Sequence, residues 1–154
     1  MGGCVPVDVV QAYGPEFISG VLYVGGGVLS RNFHPLCMHP IIKAIVPSIR
    51  SLDATASSKG AADFVDSCVA EPLPFGVKLQ WMGGYTMQTP QARVLSLGRV
   101  QDKHGGRGKR ADCRPGTEDL HCVSEVMIAL AKEVYKKVDV KMLPGVDIVR
   151  ILTA

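Results

Sequence analysis

Apolar and polar positions divide the chain into three stretches of different rhythm. The first opens on Met1-Gly2-Gly3-Cys4 and runs Val5-Pro6-Val7-Asp8-Val9-Val10-Gln11-Ala12-Tyr13 into Gly14-Pro15. Pro6 suits a first helical turn, which needs no amide hydrogen, and Gly14 suits the position just past a helix end. A short helix is predicted between them. Phe17-Ile18-Ser19-Gly20-Val21-Leu22-Tyr23-Val24 follows, a short run rich in β-branched and aromatic residues that Gly25-Gly26-Gly27 closes. Its length and composition predict a fully buried strand.

From Val28 to about Leu97 the rhythm changes. His34-Pro35, His39-Pro40, Pro47, Pro72, Pro74 and Pro90 cut this stretch into pieces too short for a strand–helix–strand repeat. Ile41, Ile42, Ile45 and Val46 make one apolar helical face, which Pro47 is expected to end. Ala61, Phe64, Val65, Cys68 and Val69 make another, ending before Pro72. Several short helices joined by loops are predicted.

The third stretch begins with a polar segment. Asp102 to Pro115 carries Lys103, His104, Arg107, Lys109 and Arg110 among three glycines and almost nothing apolar. Order then returns. Val123, Val126, Met127, Leu130, Ala131 and Val134 form a helical stripe, with Lys132, Lys136 and Lys137 near its C-terminal end, where cations suit the helix dipole. Val138-Asp139-Val140-Lys141-Met142 alternates, as a strand covered on one face does.

Composition narrows the class. At 154 residues and 47% hydrophobic, the chain is one domain in size and able to bury a core, which excludes disorder along its whole length. Net charge is only +3, and much of the excess sits in the polar segment. Five scattered cysteines, odd in number and without a C-x-x-C pair, argue against a disulfide framework or structural zinc and suit a reducing compartment. No basic leader and no apolar run near 18 residues occurs, so a soluble cytoplasmic protein without a membrane span is expected.

The run Gly116-Thr117-Glu118-Asp119-Leu120-His121-Cys122 is where the chain resembles a known family. It looks like the turn that holds the triad acid in α/β-hydrolases, where a strand ends in Gly-x-x-Asp, a helix follows, and a last strand runs into Pro-Gly-x-Gly-His. Here the helix from Val123, the strand from Val138 and Leu143-Pro144-Gly145-Val146 follow in that order. Such an order sets an acid and a base on adjacent strand ends, so that the carboxylate can orient the imidazole. Met1-Gly2-Gly3 resembles the three residues after the serine of a Gly-x-Ser-x-Gly-Gly elbow.

The resemblance implies an α/β class, a partial hydrolase sheet with an inserted α-helical cap. Residues 1–27 would be the core helix and strand after the elbow, 28–97 the cap, and 98–154 the C-terminal core segment. It also implies Asp119 as triad acid, the Met1 backbone as an oxyanion-hole position, an ester-like small-molecule substrate in a full-length relative, and neither cofactor nor metal.

This sequence departs from the family pattern in ways that bear on function. No Gly-x-Ser-x-Gly occurs, and Asp147-Ile148 stands where Gly-His is expected. The strands that precede the elbow have no counterpart. Arg107 to Pro115 is not expected at a sheet centre, because unpaired buried charges cost several kcal/mol each. A piece of a larger or mis-assembled hydrolase gene, inactive as written, accounts for these departures together. The competing readings are a non-catalytic hydrolase-like binding module and a small basic nucleic-acid binder using Lys103 to Arg110.

Other candidates are weaker. Asp119 could instead cap the helix that follows it. His121 adjoins Asp119 in sequence, but adjacent side chains rarely face one another. His34 and His39 flank Cys37, yet no further cysteine or carboxylate cluster accompanies them, so no metal is expected.

Overall fold

The computed structural model describes residues 2–25, 33–69, 71–98, 100–101 and 110–146. In chain order its elements are α1 (Val5–Tyr13), β1 (Val21–Val24), α2 (His34–Cys37), α3 (Pro40–Ile49), α4 (Ala54–Ser67), α5 (Phe75–Thr86), α6 (Pro90–Gly98), β2 (Arg110–Arg114), α7 (Ser124–Val134) and β3 (Lys137–Val140). They form two compact units, one of Met1–Met38 with Val100–Ala154, the other of His39–Arg99.

In the first unit α1 starts at Pro6's turn and stops at Gly14. That glycine has φ of 87° and donates its amide hydrogen to the Val10 carbonyl at 2.9 Å. The strand expected over Phe17 to Val24 is shorter and less buried than its composition predicts. Pro15–Phe17 is a 3-10 turn, and the exposed Phe17 ring stacks on Tyr13. Only Val21–Val24 is extended, with Tyr23 buried but Leu22 58% exposed. A continuous apolar run says nothing of how many faces are covered; neighbours in space decide that.

Among the described residues the three strands are parallel, in the order β1-β2-β3. Val21 lies opposite Ala111 and Tyr23 opposite Cys113; Ala111 in turn lies opposite Val138, and Cys113 opposite Val140. These residues share one face, since alternate side chains point the same way. Against that face pack Met127, Leu130 and Ala131 of α7 at helical spacing, together with Cys37, Cys122 and Tyr135. The Tyr23 and Tyr135 hydroxyls meet at 2.7 Å inside this core.

Arg110–Arg114 is therefore the middle strand, against the expectation that so charged a sequence would stay out of the sheet. Alternation resolves the conflict. Ala111 and Cys113 are fully buried, at 0% exposure, while Arg110, Asp112 and Arg114 fall on the open face. There Arg114 makes two hydrogen bonds to Asp112, at 2.9 and 3.3 Å, and Arg110 pairs with Asp139 at 2.9 Å. No buried charge is left unpaired in this strand.

The second unit is helical, as its periodicity predicts, with two differences in where helices end. Pro47 lies inside α3, which continues to Ile49. The missing Pro47 amide removes a hydrogen bond but does not end the helix so close to its C-terminus. Helix α4 starts at Ala54, well before its apolar stripe, because Asp53 Oδ1 accepts the Ala56 amide at 2.8 Å and caps it. Gly60 lets α3 and α4 touch: a Cβ there would lie 2.8 Å from the Ile49 nitrogen.

Candidate active-site acid

Because β2 and β3 are parallel, the chain leaves both at the same edge of the sheet, where α/β folds place their chemistry. Pairing continues beyond the strands. The Lys141 amide donates to Cys113 O at 2.9 Å, Leu143 to Pro115 O at 2.9 Å, and Thr117 to Leu143 O at 3.1 Å. The Glu118 amide then donates to Val146 O at 3.2 Å. Gly145, with φ of 64°, turns the second loop so that its amide reaches Thr117 Oγ1 at 2.9 Å. The turn over Gly116 to Asp119 and the loop from Leu143 to Val146 are thus laced side by side.

Asp119 emerges from this lacing 8% exposed. Its Oδ1 accepts the amides of His121 at 2.7 Å and Cys122 at 3.1 Å, which fixes the carboxylate plane. Its Oδ2 is buried and has no hydrogen-bond partner among the described residues. Asp119 is not a helix cap: the cap position of α7 is Val123, whose amide donates to Cys37 O at 2.7 Å. The turn is tied to α7 instead through Ser124, whose hydroxyl reaches Gly116 O at 3.4 Å.

A buried carboxylate oxygen without a donor costs roughly 1–3 kcal/mol or more, so it calls for a partner. Chemically, this arrangement can accept one further N–H or O–H and stabilise a positive charge on its donor. Neither Cys122 nor Cys113 is an activated thiol. The hydrogen bond with Cys37, burial and the nearby Asp119 all push the Cys122 thiol up, so it stays protonated. Burial raises Cys113 to about 11.

Of the other sequence candidates, Met1, Asp147, Ile148 and the basic residues Lys103 to Lys109 lie outside the described residues. Arg110 opens β2 and pairs with Asp139. His39 Nδ1 accepts the Ile41 amide and caps α3. No group of three or more His, Cys, Asp or Glu is placed to hold a metal among the described residues. Thr117 was given no role by its sequence, yet it joins the two loops. The available signal was a hydroxyl in the Gly116 to Asp119 turn together with a later Pro-Gly turn.

No protein-family model matches the sequence, and no curated protein matches it. Solved structures do. An esterase from Rhodococcus sp. ECU1013 superposes with a TM-score of 0.73 at 20% identity, over 95% of this chain and 55% of that one. A putative aryl esterase from Burkholderia cenocepacia superposes with a TM-score of 0.74 at 16% identity, over 92% of this chain and 52% of that one. The chain thus spans about half the length of these structures. At such identities the likeness concerns the fold alone, and that fold is α/β-hydrolase-like.

Proposed function

We propose that this chain carries the acid-bearing part of an esterase-type serine hydrolase, with Asp119 as the triad acid and the helical unit as the cap segment. Its 154 residues contain no Gly-x-Ser-x-Gly and so do not turn over an ester by themselves. The observation that carries the reading is Asp119 Oδ2, buried and without a hydrogen-bond partner among the described residues, beside the Leu143 to Val146 loop. In a triad the acid's role is to accept the imidazole N–H, hold the correct tautomer and stabilise the imidazolium as serine loses its proton. That work needs no cofactor. The two esterase likenesses support the reaction class; which ester is taken is set by pocket shape.

The reading is tested without turnover. Asp147→Gly with Ile148→His restores a base at the expected place, and its titration is followed by NMR. Beside the Asp119 carboxylate, the introduced imidazole should titrate clearly above the ordinary histidine value of about 6.5. The elevation should vanish in Asp119→Asn. An imidazole that titrates identically with Asp119 and with the asparagine would sink the assignment.

A further inference from the structure

A second buried charge lies in the helical unit and has no part in the reading above. Arg93 of α6 is only 6% exposed. Its guanidinium stands over the Tyr85 ring of α5, 4.7 Å from the ring centre, and Nη2 donates to Ser57 Oγ of α4 at 2.8 Å. Nε is buried and has no hydrogen-bond partner among the described residues. The ion pairs Lys59–Asp63 and Lys78–Asp66 lie elsewhere, and Arg93 meets no carboxylate among the described residues.

A buried guanidinium keeps its charge, so a fold that buries one without an acid bears a large desolvation cost. Contact with a tyrosine face and one neutral hydroxyl return only part of it. The balance is unfavourable unless an anion completes it. We propose that Arg93, Ser57 and Tyr85 form a binding site for the carboxylate group of a small organic acid.

The geometry selects that ligand. Tyr85 covers one face of the guanidinium, which leaves its edges for hydrogen bonding, and the N–H groups of an arginine edge match the two oxygens of a carboxylate. Ser57, accepting from Nη2, keeps its own hydroxyl hydrogen to donate to the same anion. A monoanion neutralises the single cation; a phosphate dianion would leave one negative charge buried. The Tyr85 and Phe64 rings, 6.2 Å apart, place apolar surface nearby for the organic part of the acid.

The test uses the full 154-residue chain, with benzoate as probe and inorganic phosphate at equal ionic strength as control. Benzoate should raise the melting midpoint saturably, by about 3–6 °C at ten times its dissociation constant. The rise should be lost in Arg93→Met and reduced in Ser57→Ala. Should Arg93→Met fail to fold, the side-chain Nε–H resonance of Arg93 in the unaltered chain decides, and it should shift saturably with benzoate. Indifference of both the midpoint and that resonance to benzoate at tens of millimolar would overturn the site. So would a benzoate effect that survives in Arg93→Met, and equal stabilisation by phosphate would overturn the carboxylate assignment.

Discussion

Thr117 and Gly145 are joined side chain to backbone, the glycine amide donating to the threonine hydroxyl at 2.9 Å across two loops that leave different strands. That bond holds the turn bearing Asp119 against the Leu143 to Val146 loop. Thr117→Val keeps the shape and removes the acceptor. It should lower stability by about 1 kcal/mol in urea unfolding, while Thr117→Ser should stay close to the original. Equal losses from both would mean that the methyl group, and not the hydrogen bond, matters.

The unaltered chain should hydrolyse p-nitrophenyl esters no faster than buffer does, because loss of triad members costs factors of about 10⁴ to 10⁶. Turnover that a serine-directed phosphonate stops would require a nucleophile that the sequence does not display.

In a protein completed with an elbow serine and the Asp147→Gly, Ile148→His loop, Asp119→Asn should cut ester turnover by roughly 10⁴-fold. Glu118→Gln, on the same turn, should cost far less. Stability should move differently: Asp119→Ala removes the acceptor of two amides and should cost about 2 kcal/mol. Asp119→Asn retains an acceptor and should cost less. Equal turnover losses from Asp119→Asn and Glu118→Gln would reduce the turn to a structural role.

Burial holds the Cys113 thiol neutral up to about pH 11, whereas an unfolded thiol ionises near 9. A group whose folded value is raised contributes its full stability below the unfolded value and loses it as pH climbs through the folded one. Stability should therefore decline between about pH 9 and 11, and part of that slope should disappear in Cys113→Ala. Equilibrium unfolding at several alkaline pH values reads it directly; parallel curves for the two proteins would remove Cys113 from the account.

Among the described strands β1 pairs on one side only, and its outward Leu22 and Val24 are exposed. An apolar edge of this kind favours association between chains. Leu22→Lys should reduce light scattering at micromolar concentration without lowering the melting midpoint. Unchanged scattering would place the sticky surface elsewhere.

Much of the first unit is readable from residues alone. The stripe from Val123 to Val134 and the alternation from Val138 give α7 and β3 to within a residue or two, because each shows a single clean period. The turn singles out Asp119 in the sequence, but that Oδ1 is pinned while Oδ2 lacks a partner among the described residues depends on amides of residues that no periodicity orients. The Arg110–Arg114 strand is missed by judging charge as an average, although Arg-Ala-Asp-Cys-Arg alternates strictly. In the helical unit the prolines mark breaks, yet Pro47 breaks nothing. The Arg93 cluster joins residues of three helices and leaves no local trace in the sequence.

The alternation in β2 also protects the fold against its own mistakes. Were that strand to pair one residue out of step, every side chain would change faces. Arg110, Asp112 and Arg114 would be driven beneath α7, where Ala111 and Cys113 now sit, and each unpaired charge would cost several kcal/mol. An apolar strand would tolerate the slip with little loss. The charges thus act as a proofreader of alignment, rejecting the misplaced pairing by the desolvation penalty it meets as α7 closes on the sheet.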